Sequence, residues 1–378
     1  MSSTALAGRL ILEDRVVPGR LAIEDGRIAS VEVDVAGVAG DAPYVAPGFV
    51  DVHVHGWGGH DAMGDGAALD GMARALLRRG VTSFLPTAVT APLGDLAAFA
   101  ERVRAWMPSA PADGAEPLGF NLEGPFLAPA KRGAHAEAHL RAPSDASREA
   151  LDGLVDGLRL LTVAPELEGA TDLIGWLSGR GVAVSIGHSA AVVGQAWDAF
   201  AAGARSTTHL FNAMTGVDHR SPGVAVAALL EDDAYVELIA DGIHVHPALW
   251  PLITRLKPRD RLLLVSDALA VAGTADGRGR IGELDIEVVD GRATLAGTST
   301  LAGSVIALDS AVRNVTAAGV SLPDAVAAAS ANPLALLGVT DRGRLAEGQR
   351  ADVVELGEDL KVRRVMRGGA WVFGDQPG

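Results

Sequence analysis

The chain has 378 residues, 48% of them hydrophobic, enough to bury one large α/β barrel of about 250 residues with a smaller attachment. Its 32 basic and 47 acidic residues leave a formal net charge of −15 with no basic stripe, which argues against nucleic acid as a partner. There is no cysteine, so disulfides and thiolate metal sites are excluded, and any metal must be held by His, Asp and Glu.

The first dozen residues lack a basic start followed by a long apolar run, so no signal peptide is expected. No apolar stretch approaches the ~20 residues of a membrane span; the expectation is a cytoplasmic protein with no membrane partner. The apolar segments 21–23 and 28–31 flank Glu24-Asp25-Gly26-Arg27, and Asp-Gly between such runs predicts a hairpin. The C-terminus has the same character, with strands predicted over 351–356, 362–366 and 370–373 and a turn at 367–369. Residues 1–46 and 342–378 are therefore expected to form one small β domain, a β-sandwich built from both chain ends.

Between them, residues 47–341 repeat a strand–turn–helix rhythm. Strands are predicted over 49–55, 81–87, 118–123, 158–164, 182–188, 206–211, 236–240 and 262–267. Helices are predicted over 67–79, 93–106, 194–202 and 248–256, and again over 304–317 and 322–330. Eight parallel strands with crossover helices close into a (β/α)8 TIM barrel. The alternative, a doubly wound open sheet, has no Gly-rich phosphate loop or dinucleotide fingerprint to support it. Residues 279–297 break the rhythm and read as a β-hairpin insertion after the last barrel strand.

Chemistry collects at the predicted C-terminal strand ends, where barrel active sites form. Strand one runs Val50-Asp51-Val52-His53-Val54-His55, and alternation puts both histidines on one face, one pleat apart. Strand three supplies Glu123, strand five His188, strand six His209 and strand eight Asp267. Each has an ordinary alternative: a satisfied buried acid for Glu123, helix caps for His188 and Asp267, a packed core histidine for His209. Their common position at one end of the barrel argues instead for a metal centre.

The motifs 47–56 (PGFVDVHVHG), 121–126 (NLEGPF), 187–189 (GHS), 208–214 (THLFNAM), 241–244 (DGIH) and 266–268 (SDA) run in order across nearly the whole chain. They resemble the metal-dependent amidohydrolase superfamily and, within it, the group that removes acetate from N-acetylglucosamine 6-phosphate in amino-sugar recycling. The chain has no lysine at a middle strand end to serve as a carboxylated bridge, so Glu123 takes that place.

The resemblance implies that Glu123, His188 and His209 hold a main divalent metal, zinc or alternatively iron. His53 and His55, with Glu123 and Asp267, would hold a second, giving one or two ions per subunit. Asp267 is implied as the proton-transfer residue and His135 as a donor to the oxyanion. Ala134, Asn212, Ala213, Arg220, His244 and the turn Leu301-Ala302-Gly303 are implied as substrate contacts, with Arg220, His244, Asn212 and Ala213 at the phosphate. The family pattern also implies a homodimer whose neighbouring subunit completes the phosphate pocket. The alternative within the group is another N-acetylated hexosamine phosphate, such as N-acetylgalactosamine 6-phosphate. No role is expected for His60, His139, His219 or His246.

Overall fold

The computed structural model describes residues 3–374. Eight parallel strands are hydrogen-bonded in sequence order: Phe49–Val54, Val81–Val89, Phe120–Glu123, Leu158–Val163, Ala183–Ile186, Ser206–Thr207, Tyr235–Leu238 and Leu262–Leu264. The sheet closes where the eighth strand's extension meets the first. The Asp267 N–H donates to the His53 carbonyl at 2.8 Å, and the His55 N–H donates to the Ala268 carbonyl at 2.8 Å. The expected (β/α)8 barrel is the observed fold. Its strands are buried on both faces because helices cover the outside and side chains fill the inside; every residue of Val81–Val89 is buried.

The helices Gly66–Leu77, Leu93–Trp106, Val193–Ala201 and Trp250–Leu256 lie close to their predicted positions. In the first, Asp65 caps the N-terminus by accepting from Ala68 N–H at 2.9 Å. Its Leu69, Met72, Ala73, Leu76 and Leu77 form the buried face, the spacing of a helix with one side against a core.

Three strands are shorter than their apolar runs predict. Those expected over 182–188, 206–211 and 262–267 stop at Ile186, Thr207 and Leu264. The cause is local. His188, His209 and Asp267 adopt left-handed backbone with φ of 47°, 30° and 49°, which an extended strand cannot continue through.

The insertion is a three-stranded antiparallel sheet, Gly277–Ile281, Leu284–Val289 and Arg292–Leu295, rather than a simple hairpin. Its extra strand reads Gly-Arg-Gly-Arg-Ile with only Ile281 buried, so it carries no apolar alternation to announce it. Ile281, Ile286, Val288, Ala293 and Ala302 pack with Val89, Ala134 and Leu269, which seats the insertion against the barrel mouth.

Both chain ends build one seven-stranded sheet. Its order is Ala370–Phe373, Val362–Arg367, Val353–Leu356, Tyr44–Pro47, Ser3–Ile11, Val16–Glu24, Arg27–Val33. The Asp25-Gly26 hairpin forms with φ of 49° and 80°, the left-handed pair that a tight two-residue turn requires. Leu6, Leu10, Leu21, Ile28, Val45, Val353 and Met366 fill a core of its own. The outermost positions of the expected small domain, 1–2 and 375–378, lie outside the described residues. Among the described residues no helix is long and apolar enough to cross a membrane.

Candidate metal centre and cleft

The C-terminal strand ends surround an open cleft of about 340 Å³. His55, Glu123, Ala134, His135, His188, His209, Asn212, Ala213, His244, Asp267, Leu301 and Gly303 line it, with Ala130, Lys131, Gly133, Ile239, Ile281 and Thr300. Three expected residues do not. His53 is fully buried behind His55. Ala302 is fully buried and faces the core of the insertion. Arg220 sits on an exposed loop away from the cleft of its own chain. His60, His139, His219 and His246 stay outside the cleft; His139 lies 3.1 Å from Glu283 Oε2.

The left-handed residues aim the site. Besides His188, His209 and Asp267, Phe211 and Ala213 have φ of 76° and 48°. Such conformations cost of order 1–3 kcal/mol each in non-glycine residues and persist where surrounding structure enforces them. Here each turn folds a strand end back so that its side chain points across the barrel mouth.

Glu123 is the hub. Its Oε1 lies 2.9 Å from both His188 Nε2 and His209 Nε2. Its Oε2 lies 3.2 Å from His55 Nε2, 3.2 Å from His135 Nε2 and 3.6 Å from His53 Nε2. Asp267 Oδ1 is 3.1 Å from His55 Nε2 and 3.6 Å from His53 Nε2. His188 Nε2 and His209 Nε2 approach to 3.0 Å.

The far sides of these rings determine what their near sides offer. His55 Nδ1 lies 3.1 Å from the Thr87 carbonyl, His188 Nδ1 2.8 Å from the Lys131 carbonyl, and His53 Nδ1 3.0 Å from Glu237 Oε2. A carbonyl or carboxylate only accepts, so each Nδ1 carries a proton, and any ring that gives up a proton toward the centre does so from Nε2, where the lone pair meets an ion. His53 Nε2 and His55 Nε2 are buried there with no hydrogen-bond partner. His135 differs: its Nδ1 lies 2.9 Å from Thr90 Oγ1 and accepts the Thr90 backbone N–H at 3.3 Å, an arrangement in which the ring's proton is on Nε2.

These residues fit a divalent metal. The ligand atoms of His53, His55, Glu123 and Asp267 lie within 4.8 Å of one another, as do those of Glu123, His135 and His188. The donors are nitrogen and oxygen throughout, the set that suits zinc, iron and similar ions.

The electrostatics agree. Burial pushes the Glu123 carboxyl up, but His53, His135 and His188 outweigh it and hold it well below the usual range. Asp267 is likewise held down against burial, by His53 and His55. Burial pushes His55 down, but Asp267 and Glu123 raise it to about 9. His188 is lowered to about 4 by burial and by the neighbouring His135.

A pH dependence follows. At a pH between 6.5 and 9 the His55 ring of the metal-free protein carries a proton that an ion must displace. Zinc binding near pH 7.5 is expected to release protons, and affinity to fall as pH is lowered. Calorimetry in buffers of different ionisation enthalpy checks this; a binding heat independent of buffer would contradict it. A raised histidine stabilises the metal-free fold fully below 6.5 and loses that contribution as pH rises through about 9. The chelated protein should therefore weaken across that window.

Two buried acids beside the site were not singled out from the sequence. Asp51 shares the inward face with His53 and His55, and its Oδ1 accepts from the N–H groups of His53 and Ser266, each at 3.3 Å. Burial pushes it up to about 7. Glu237 sits fully buried in the apolar strand Tyr235–Leu238. A lone glutamate on the inward register of a buried strand was the available signal for it.

A closed barrel with a His, Glu and Asp cluster at its C-terminal strand ends has the architecture of a metal-dependent hydrolase. The amidohydrolase family model matches residues 44–372. N-acetylglucosamine-6-phosphate deacetylase of Bos taurus is 39% identical, over 97% of this chain and 93% of the relative. N-acetylgalactosamine-6-phosphate deacetylase of Escherichia coli O157:H7 is also 39% identical, over 99% of each. The crystal structure of the Thermotoga maritima N-acetylglucosamine-6-phosphate deacetylase superposes with a TM-score of 0.91 at 34% identity, covering 98% of this chain and 100% of that one. A mutant of the Mycobacterium smegmatis enzyme, in complex with N-acetyl-D-glucosamine-6-phosphate, gives 0.90 at 36% identity with the same coverage. The chain belongs to the amidohydrolase family, in its group of N-acetylhexosamine-6-phosphate deacetylases.

Proposed function

We propose that the chain hydrolyses the acetamide of N-acetylglucosamine 6-phosphate, giving acetate and glucosamine 6-phosphate. The observation that carries this reading is the division of tautomers around Glu123. His53, His55 and His188 offer lone pairs to an ion, while His135 offers a proton, all beside an ionised Asp267.

Glu123, His188 and His209 would hold the main ion, and His53 and His55 with Glu123 and Asp267 a second. Zinc is the first choice and iron the alternative. A bound divalent ion supplies Lewis acidity, polarising a carbonyl and acidifying water. Asp267, as base, takes the proton of the attacking water and then, as acid, returns one to the leaving amine. His135 Nε2–H donates to the acetyl oxygen as negative charge develops there.

Asn212, Ala213 and His244 serve the phosphate end, with Ala134, Leu301 and Gly303 against the sugar. Asp241 Oδ2 holds the His244 ring through Nδ1 at 2.7 Å. Arg220 would reach the phosphate of a second subunit in a homodimer. Its exposed loop supports this, as do Val192, Trp197, Val217, Leu230, Leu249, Leu252 and Leu256 exposed on and around the adjacent helices Val193–Ala201, Val224–Leu230 and Trp250–Leu256. A phosphorylated sugar does not cross membranes unaided, so the setting would be the cytoplasm.

Acetate release from N-acetylglucosamine 6-phosphate, N-acetylgalactosamine 6-phosphate and the unphosphorylated sugars tests the reading. Failure on every phosphorylated substrate overturns it. Preference for the galacto sugar would favour the second reading, which the Escherichia coli relative supports. Arg220→Ala is expected to raise KM for the phosphorylated sugar by about ten- to a hundredfold, the loss of one charged hydrogen bond. Activity on the unphosphorylated sugar should not change. An unaltered KM would remove Arg220 from the phosphate pocket.

A further inference from the structure

We propose that Glu237 is the positioning residue that makes His53 a metal ligand, and so decides whether the chain holds a second ion beside the one at Glu123, His188 and His209. This rests on the two-ion reading above and adds to it a residue outside the ligand set.

Glu237 is 0% exposed, inside the barrel on the strand Tyr235–Leu238. Burying a carboxylate costs several kcal/mol unless its partners compensate. No arginine or lysine is paired with it among the described residues. Its contacts are two: Oε2 lies 3.0 Å from His53 Nδ1 and accepts the His209 backbone N–H at 3.1 Å. Its other oxygen has no partner. The charge therefore serves these two histidines.

Its effect on His53 is specific. The carboxylate accepts and cannot donate, so it fixes the proton on Nδ1 and leaves the lone pair on Nε2, the atom facing Glu123 and Asp267. His55 and His188 are fixed by neutral carbonyls. His53 alone is held by a carboxylate, which raises the basicity of a ligating ring more strongly. The same oxygen grips the backbone of His209, a residue of the other ion position. One buried group thus ties the first barrel strand to the end of the sixth.

The test titrates Zn²⁺ into metal-free protein against a chromophoric chelator, for wild type, Glu237→Gln and Glu237→Leu. Wild type is expected to take two ions. In Glu237→Leu the tighter ion should keep its affinity within about threefold, and the second should weaken by about 10–100-fold, the usual effect of losing a ligand's orienting partner. Glu237→Gln, which keeps a neutral acceptor in the same place, should fall between.

Two ions bound with unchanged affinity in Glu237→Leu overturn the proposal. Equal weakening of both ions also overturns it, since Glu237 would then only support the barrel core. If wild type takes one ion and His53→Asn leaves that number unchanged, the two-ion reading itself fails and the role of Glu237 falls with it.

Discussion

Asp267→Asn is expected to give a folded protein that still holds an ion at Glu123, His188 and His209, and whose turnover falls by about 10²–10⁴-fold, the contribution of a positioned general base. The variant keeps the side chain's shape and removes its charge and its capacity to take a proton. The site is arranged for that charge: burial pushes the Asp267 carboxyl up, yet His53 and His55 hold it below its ordinary value. Its backbone is fixed independently, by the bond from its N–H to the His53 carbonyl and by its own carbonyl accepting from Ser304 N–H at 2.8 Å. The asparagine should therefore sit where the aspartate does. The loss should appear in kcat with metal content at the main position preserved. Near-wild-type kcat would remove Asp267 from proton transfer.

Glu123→Gln should be more severe, because it removes ion binding as well as turnover. One carboxylate faces five imidazoles: Oε1 touches His188 and His209, and Oε2 faces His53, His55 and His135. Among the described residues no other carboxylate contacts both groups, so both ion positions lose their shared negative ligand together. Elemental analysis should find well below one ion per chain, and acetate release should fall by at least ~10⁴-fold. Excess Zn²⁺ should not restore it. The contrast is the useful result: one acid variant is loaded and slow, the other empty. If Glu123→Gln retained a full complement of metal, the assignment of Glu123 as the shared ligand would be wrong.

Much of this was legible from the sequence because both fold and site follow short-range rules. Alternation put His53 and His55 on one face, and Asp25-Gly26 announced its hairpin. The strand–turn–helix rhythm placed all eight barrel strands. The shortened strands were not legible, because left-handed backbone at His188, His209 and Asp267 is imposed by the assembled barrel mouth and not by residue type. The extra insertion strand Gly277–Ile281 was hidden because it buries one side chain. Glu237 was missed because its partners His53 and His209 lie far from it in sequence. Arg220 was noticed from the resemblance, and in the structure it does not line its own chain's cleft.

The terminal sheet has a consequence for how the chain is made. Tyr44–Pro47 bonds on one side to Ser3–Ile11 and on the other to Val353–Leu356, and the entire barrel is encoded between those two partners. At ribosomal speeds of about 5–20 residues per second, on the order of tens of seconds separate the emergence of the first partner from that of the last. Throughout that interval Val45 and Ala46, both buried in the finished protein, belong to a strand with one side unpaired. A nascent chain in this condition is a natural client for a chaperone. A message truncated before codon 353 would release a protein with a permanent open edge, able to pair with its neighbours instead of with itself.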